Sequence, residues 1–322
     1  MSAPKRHDPL QSATPLPLQT EYFPMGYRLH ISANSELVHR TAARIWSRYP
    51  RLSNEPAVSL NISVTAGDAG LPPPAPSFRG REHLFSIVAD RDTFATADLR
   101  TGAGFACFTE NVSADYLRYH FLEPLAYVLI AARYLTFTHA SCVTLDGRAV
   151  LLCGDSGAGK TCLAFACARK GWIFLSGDAT AIVRGRTDYR VLGRPFEIRF
   201  RESARRLFPE LQRYPRVMRP NGKDDIEIDP RDLRLKCDLE GTASHVVILE
   251  RSHHPTPAVA EPIPREEALR HLEQAICFGD QSNRAEQMKS LVELLALPTL
   301  RLRFHDLVSA ERALRSLVAG RC

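Results

Sequence analysis

The chain has 322 residues, 44% of them hydrophobic and 24% charged, with a net charge of +6. This is too apolar for an intrinsically disordered protein, and 22 Pro with 18 Gly is too few for a fibrous one. The length allows one large domain or two ordinary ones. A small positive charge without a DNA- or RNA-reading motif gives no support to a nucleic-acid partner.

Met1 to Thr20 holds Lys5, Arg6, Asp8 and four prolines without an apolar stretch, so it reads as a disordered leader and not as a signal peptide. The longest apolar run, Leu125 to Ala132, has eight residues, whereas a bilayer span needs roughly 20. No membrane partner is expected. The eight cysteines lack a CxxC or zinc spacing, and Cys142, Cys153, Cys162 and Cys167 fall in apolar segments. They read as reduced packing residues of a cytoplasmic protein.

From residue 21 to 137 the pattern is that of a small α/β unit with an antiparallel sheet. Tyr27 to Ser32 alternates as a strand, and Ser35 opens a helix to about Ser47 with Leu37, Ala42, Ile45 and Trp46 near one face. Ser59 to Thr65 alternates again, and Gly70 to Ser77, with four prolines, is a loop. Phe85 to Ala89 and Leu99 to Thr109 read as strands, and Ala114 to Leu135 as an apolar helix interrupted near Pro124. In the remainder, residues 138–322, His139 to Leu145 and Arg148 to Cys153 are strands joined by Asp146-Gly147, a two-residue hairpin turn. Helix follows from Cys162 to Lys170, stopped by Gly171. Strands are predicted at 172–176, 180–184, 196–200, 245–250 and 299–304, a turn at Asn221-Gly222, and helices at 265–278, 284–296 and 309–319.

Between the second hairpin strand and its helix stands Gly154-Asp155-Ser156-Gly157-Ala158-Gly159-Lys160-Thr161, which satisfies G-x-x-x-x-G-K-[ST]. Glycines let backbone N–H groups turn around a polyphosphate, and the helix N-terminus adds partial positive charge. In such a loop Lys160 reaches the β- and γ-phosphates of ATP, and the Thr161 hydroxyl ligates Mg²⁺. Asp178 closes the next apolar strand, where a carboxylate can hold the metal or accept a hydroxyl proton; it also fits a turn cap. His139 lies close to the loop by strand pairing, although a lone His is usually structural. Seven arginines between Arg199 and Arg219 fit either an oxyanion grip or a solvated face. His253-His254 reads as an exposed turn.

Taken together, His139, the loop at 154–161, Arg169-Lys170-Gly171 and Ser176-Gly177-Asp178 resemble the catalytic domain of the HPr kinase/phosphorylase family of P-loop serine kinases. The likeness covers about residues 137–200. It implies an α/β fold with a P-loop kinase-like catalytic domain at 138–322, its mixed sheet flanked by helices, beside the smaller N-terminal unit. It implies Asp178 as proton acceptor, His139 and Lys160 as active-site residues, and Thr161, Asp178 and Glu197 (from Glu197-Ile198-Arg199) as metal ligands. The implied activity is ATP- and Mg²⁺-dependent phosphorylation of a Ser/Thr hydroxyl on a protein or peptide, by a homo-oligomer. One acidic residue, not two, ends the strand at Asp178. Two other readings stay open: a nucleotide-binding regulator without transfer, and a P-loop kinase of a small metabolite.

Overall fold

The computed structural model describes residues 14–66, 72–218, 224–275 and 279–320. Most of the leader, the first part of the proline-rich loop, the Asn221-Gly222 turn and the end of the helix expected to reach Phe278 lie outside these residues. The fold is mixed α/β. By contacts the chain divides into two units, Met1–Arg133 with Phe278–Gln281, and Tyr134–Cys277 with Ser282–Cys322.

The first unit is built on a seven-stranded sheet that is mixed and not the antiparallel one expected, because its central strands pair in parallel. Its strands are β1 (Leu18–Tyr22), β2 (Leu29–Ala33), β3 (Val58–Thr65), β4 (Ser77–Arg81), β5 (Leu84–Val88), β6 (Phe94–Asp98) and β7 (Ala103–Thr109), in the order β1-β2-β3-β7-β6-β5-β4. β1 draws Leu18 to Thr20, assigned above to the leader, into an antiparallel pair with β2. β2 and β3 run parallel and need a crossover, which α1 (Glu36–Trp46) supplies. The buried stripe of α1 is Val38, Ala42 and Trp46, with Leu37 and Ile45 only half-buried at its margins. The stretch expected as one strand from Leu99 is instead the end of a hairpin of β6 and β7.

The predicted helix at 114–135 forms as α2 (Ala114–Leu117), a π-helical turn at Arg118–Leu122, and α3 (Glu123–Arg133). Pro124 explains the wide turn: it has no N–H to give the His120 carbonyl. The Glu123 N–H bonds the Arg118 carbonyl five residues back. Arg118 and Glu123 are also ion-paired at 2.7 Å, both largely buried.

The second unit holds a nine-stranded mixed sheet. β8 (Leu135–Thr138), β9 (Ser141–Leu145), β10 (Arg148–Cys153), β11 (Ile173–Ser176), β12 (Thr180–Val183) and β13 (Arg190–Leu192) come first in the chain. A separate three-stranded sheet follows, of β14 (Ile198–Arg201), β15 (Val217–Met218) and β16 (Asp224–Ile228), in the order β14-β16-β15. The large sheet is completed by β17 (Glu240–Arg251), β18 (Val259–Pro262) and β19 (Thr299–Phe304). The hairpin of β9 and β10 turns at Asp146 (φ 49°) and Gly147 (φ 77°), both left-handed as the Asp-Gly pair predicts. β10, β17 and β19 form a parallel core. β17 is long enough to pair on one side with two partners in succession, β13 through Glu240–Thr242 and β19 through Val246–Arg251.

The central parallel strands β10 and β17 are buried on both faces, and Ala149–Cys153 and Val246–Leu249 accordingly run apolar without alternation. Val150 and Leu152 of β10 face a cluster with α4 (Lys160–Arg169) and α7 (Leu307–Val318), whereas Ala149, Leu151 and Cys153 face one with α5 (Arg265–Glu273) and α6 (Gln281–Leu294). On the α4–α7 side one buried carboxylate organises the polar groups. Glu311 accepts from Trp172 Nε1 at 2.8 Å and is paired with Arg315 at 2.7 Å, and Arg315 also donates to the Lys170 carbonyl at 3.0 Å. Among the described residues no helix is long and apolar enough to cross a membrane. Cys142, Cys153, Cys162 and Cys167 are free thiols.

Replacing Glu311 by Leu leaves the buried Trp172 N–H without an acceptor, and such an orphan costs about 1–3 kcal/mol. Urea unfolding should show a loss of that size, and an unchanged midpoint would contradict the assignment. Acid sensitivity follows from two imidazoles. Burial lowers the pKa of His120 from its ordinary 6.5, and burial together with the Arg148 charge lowers that of His245. The unfolded chain therefore binds more protons just below the ordinary value, so stability falls as pH drops through it. The double variant His120→Gln, His245→Gln should lose part of the fall in Tm between about pH 7.5 and about 5.5; an identical slope would rule these groups out.

Candidate functional site

The phosphate-loop sequence stands at the carboxyl end of β10, where open parallel sheets place their ligand crevices. Gly154, Gly157 and Gly159 have φ of 134°, 96° and 94°, backbone that side chains avoid. At Gly154 the space is as restrictive as the dihedral, because a Cβ there would lie 2.9 Å from the Leu249 carbonyl oxygen of β17. The first bond inside α4 runs from Leu163 N to Gly159 O at 2.8 Å, so the amides of Lys160, Thr161 and Cys162 have no acceptor within the helix. This is a cradle of N–H groups at a helix N-terminus, shaped for an anion.

Lys160 is buried, at 7% exposure, and its Nζ donates to the carbonyls of Gly154 (2.7 Å) and Asp155 (3.1 Å). An ammonium has three hydrogens, so the loop fixes the charge and leaves a donor for the cradle. Burial lowers the Lys160 pKa, with the charge of Arg201 acting in the same direction and Cys153, Asp155 and Asp178 opposing it. Cys153, at the base of the loop, is pushed up to about 12 by burial, so it lines the site as a neutral group.

Three segments meet beside the cradle. The Gly177 carbonyl accepts from Thr161 Oγ1 of α4 at 2.8 Å and from Ser141 Oγ of β9. Thr180 Oγ1 of β12 donates to the Ala140 carbonyl at 2.8 Å. Asp178 therefore sits between two anchored residues, half-buried, at the start of the phosphate helix. His139 adjoins Ala140 on the same rim and is exposed. With its proton given to Gly177, the Thr161 hydroxyl keeps its lone pairs, and with the Asp178 carboxylate it offers the hard oxygen ligands that Mg²⁺ requires. Among the described residues no three His, Cys, Asp or Glu side chains converge as a metal cage. A cation here would rely on phosphate oxygens and water for its remaining ligands, as Mg²⁺ commonly does. The third expected ligand, Glu197, has its carboxylate against the Arg199 guanidinium.

The arginine-rich stretch divides. Arg205 pairs with Glu202 at 3.2 Å and Arg216 with Asp224 at 3.8 Å, while Arg213 donates to the Asp232 carbonyl at 3.3 Å. These arginines knit local structure. Arg201 differs, since its Nη2 donates to Ser156 Oγ of the loop at 2.6 Å. Nothing in the linear pattern singled it out from its neighbours; its position at the end of β14 does. His271 of α5, with Nδ1 3.7 Å from the Asp155 carboxylate, is a second contact to the loop that the sequence did not show.

No known protein-family profile and no curated protein sequence matches the chain. Among solved structures, the HPr(Ser) kinase/phosphatase from Coxiella burnetii is similar over 57% of this chain and 98% of its own, with 12% identity and a TM-score of 0.29. A likeness that loose carries no argument about the site.

Ala at position 154 would strain the backbone and press its methyl on Leu249. Strain of this kind costs about 1–3 kcal/mol. Gly154→Ala should lower Tm and abolish nucleotide binding by calorimetry, and undiminished binding would show that the cradle does not hold the phosphates.

Proposed function

We propose that this protein is an ATP-dependent phosphotransferase acting on a Ser/Thr hydroxyl of a protein or peptide. The observation that carries the reading is the Gly177 carbonyl, which holds Asp178 beside the glycine-rich cradle by accepting from Thr161 of its helix. The sequence resemblance to P-loop serine kinases agrees with it. The exposure of His139, Asp155, Ser156 and Gly157 around the cradle supports an open approach suited to a polypeptide acceptor.

In this mechanism the loop amides and Lys160 hold the β- and γ-phosphates and stabilise charge on the transferring group's equatorial oxygens. Thr161 and Asp178 would hold Mg²⁺, which would supply neutralisation of phosphate charge. Asp178 orients the acceptor hydroxyl and takes its proton as the new O–P bond forms and the bond to the leaving diphosphate breaks. His139, exposed beside Ala140, would be accessible to an acceptor.

A specific observation favours a second reading, a nucleotide-binding regulator without transfer: Gly177 leaves one carboxylate at the strand end, and Glu197 is committed to Arg199. One set of experiments separates the two. Wild-type protein is incubated with γ-labelled ATP and Mg²⁺ against a serine-peptide library, read by mass spectrometry. Lys160→Ala should weaken nucleotide binding and abolish turnover. Asp178→Asn should keep binding and lose transfer by about 10²- to 10⁴-fold, or more where the loss of a metal ligand adds to that of the base. Affinity for ATP with no labelled product would favour the regulator, and full transfer by Asp178→Asn would remove that residue from the chemistry.

A further inference from the structure

Arg201 ends β14 over the outer part of the loop. Its Nη2 bonds Ser156 Oγ at 2.6 Å, and its Nη1 lies 4.0 Å from where a Cβ on Gly157 would stand. The residue is exposed, and among the described residues no carboxylate is ion-paired with it; the adjacent Glu202 is taken by Arg205. The same cradle already carries the Lys160 ammonium and the positive end of α4. Placing another guanidinium there is electrostatically uphill unless an anion completes the group.

The terminal phosphoryl of a nucleoside triphosphate has three unesterified oxygens where the inner ones have two. A planar fork of N–H donors matches it bidentately. The bond to a neutral serine hydroxyl is easily exchanged for such a charge-assisted one. We propose that Arg201 is the ligand of the terminal phosphoryl, and that through it the site distinguishes a triphosphate from a diphosphate. This rests on the phosphotransfer reading. Lys160 and the amides of α4 grip both nucleotides, and Arg201 adds its contact to the triphosphate alone. During transfer the same contact lies on the moving group, where charge on the equatorial oxygens needs stabilising.

The test is titration calorimetry of full-length wild type, Arg201→Ala and Arg201→Lys with Mg²⁺ and either a non-hydrolysable ATP analogue or ADP. The guanosine pair is run in parallel so that base preference does not decide the outcome. In Arg201→Ala, affinity for the triphosphate analogue should fall about 10- to 100-fold, with diphosphate affinity within about twofold. Arg201→Lys, which keeps the charge without the fork, should restore part of the difference. Equal losses for the two nucleotides would mean that Arg201 only shapes the loop through Ser156, and no loss would mean that it is a bystander; either overturns the proposal while leaving the phosphate site intact. Wild type that binds none of the four nucleotides would overturn the phosphate-site reading itself, and this inference with it.

Discussion

The Gly177 carbonyl oxygen accepts hydrogen bonds from two hydroxyls that come from different elements, Thr161 at the head of α4 and Ser141 in β9. Ser141 is fully buried and Thr161 half-buried, and an unmet hydroxyl costs more there than it would at the surface. The chain can satisfy them together only when the phosphate helix, the β9 edge and the turn after β11 arrive in one relative position. That requirement places Asp178 next to the cradle, and the reciprocal bond from Thr180 to Ala140 fixes the segment that carries His139. The chemistry proposed for the site depends on this small set of backbone-directed bonds, which no direct contact among the reactive groups has to supply.

Charge gives the site its direction. The loop gathers cations and helix amides on one side, with Lys160 withdrawn into the protein and bound to the loop's own carbonyls. Buried in this way, the ammonium is held in a fixed position before any ligand arrives, so little of its side-chain entropy remains to be lost on binding. Asp178, half-buried, supplies the negative counterpart at the edge.

Much of the second unit was legible in the sequence because its signals are local. Asp146-Gly147 requires a left-handed hairpin turn, the glycines of the loop require positive φ, and Gly171 past the helix end has φ 94°. Thr299–Phe304 was found with its bounds because a short apolar–basic alternation is flanked by Pro298 and a capped helix. Short strands such as β8, β13 and β15 escaped notice, since two to four residues carry too little periodicity and owe their conformation to partners distant in the chain. The π turn at Arg118–Leu122 was visible only as an interruption, because Pro124 shows that a bond is missing without showing which register replaces it. Arg201 and His271 meet the loop through tertiary placement alone. The pairing of Glu197 with Arg199 could not be judged from their spacing, because whether side chains two residues apart meet depends on the backbone between them.

β17 has a further meaning for how the molecule can be cut or joined. The twelve-residue strand backs Gly154 through Leu249 and is hydrogen-bonded along its second half to β19, whose last residue, Phe304, lies 3.8 Å from where a Cβ on Gly159 would stand. Every residue assigned to chemistry falls between 139 and 201, yet the floor beneath them is laid by chain a hundred residues later. A minimal fragment drawn around the motif would lack that floor, and any functional excision must retain the segment through Phe304.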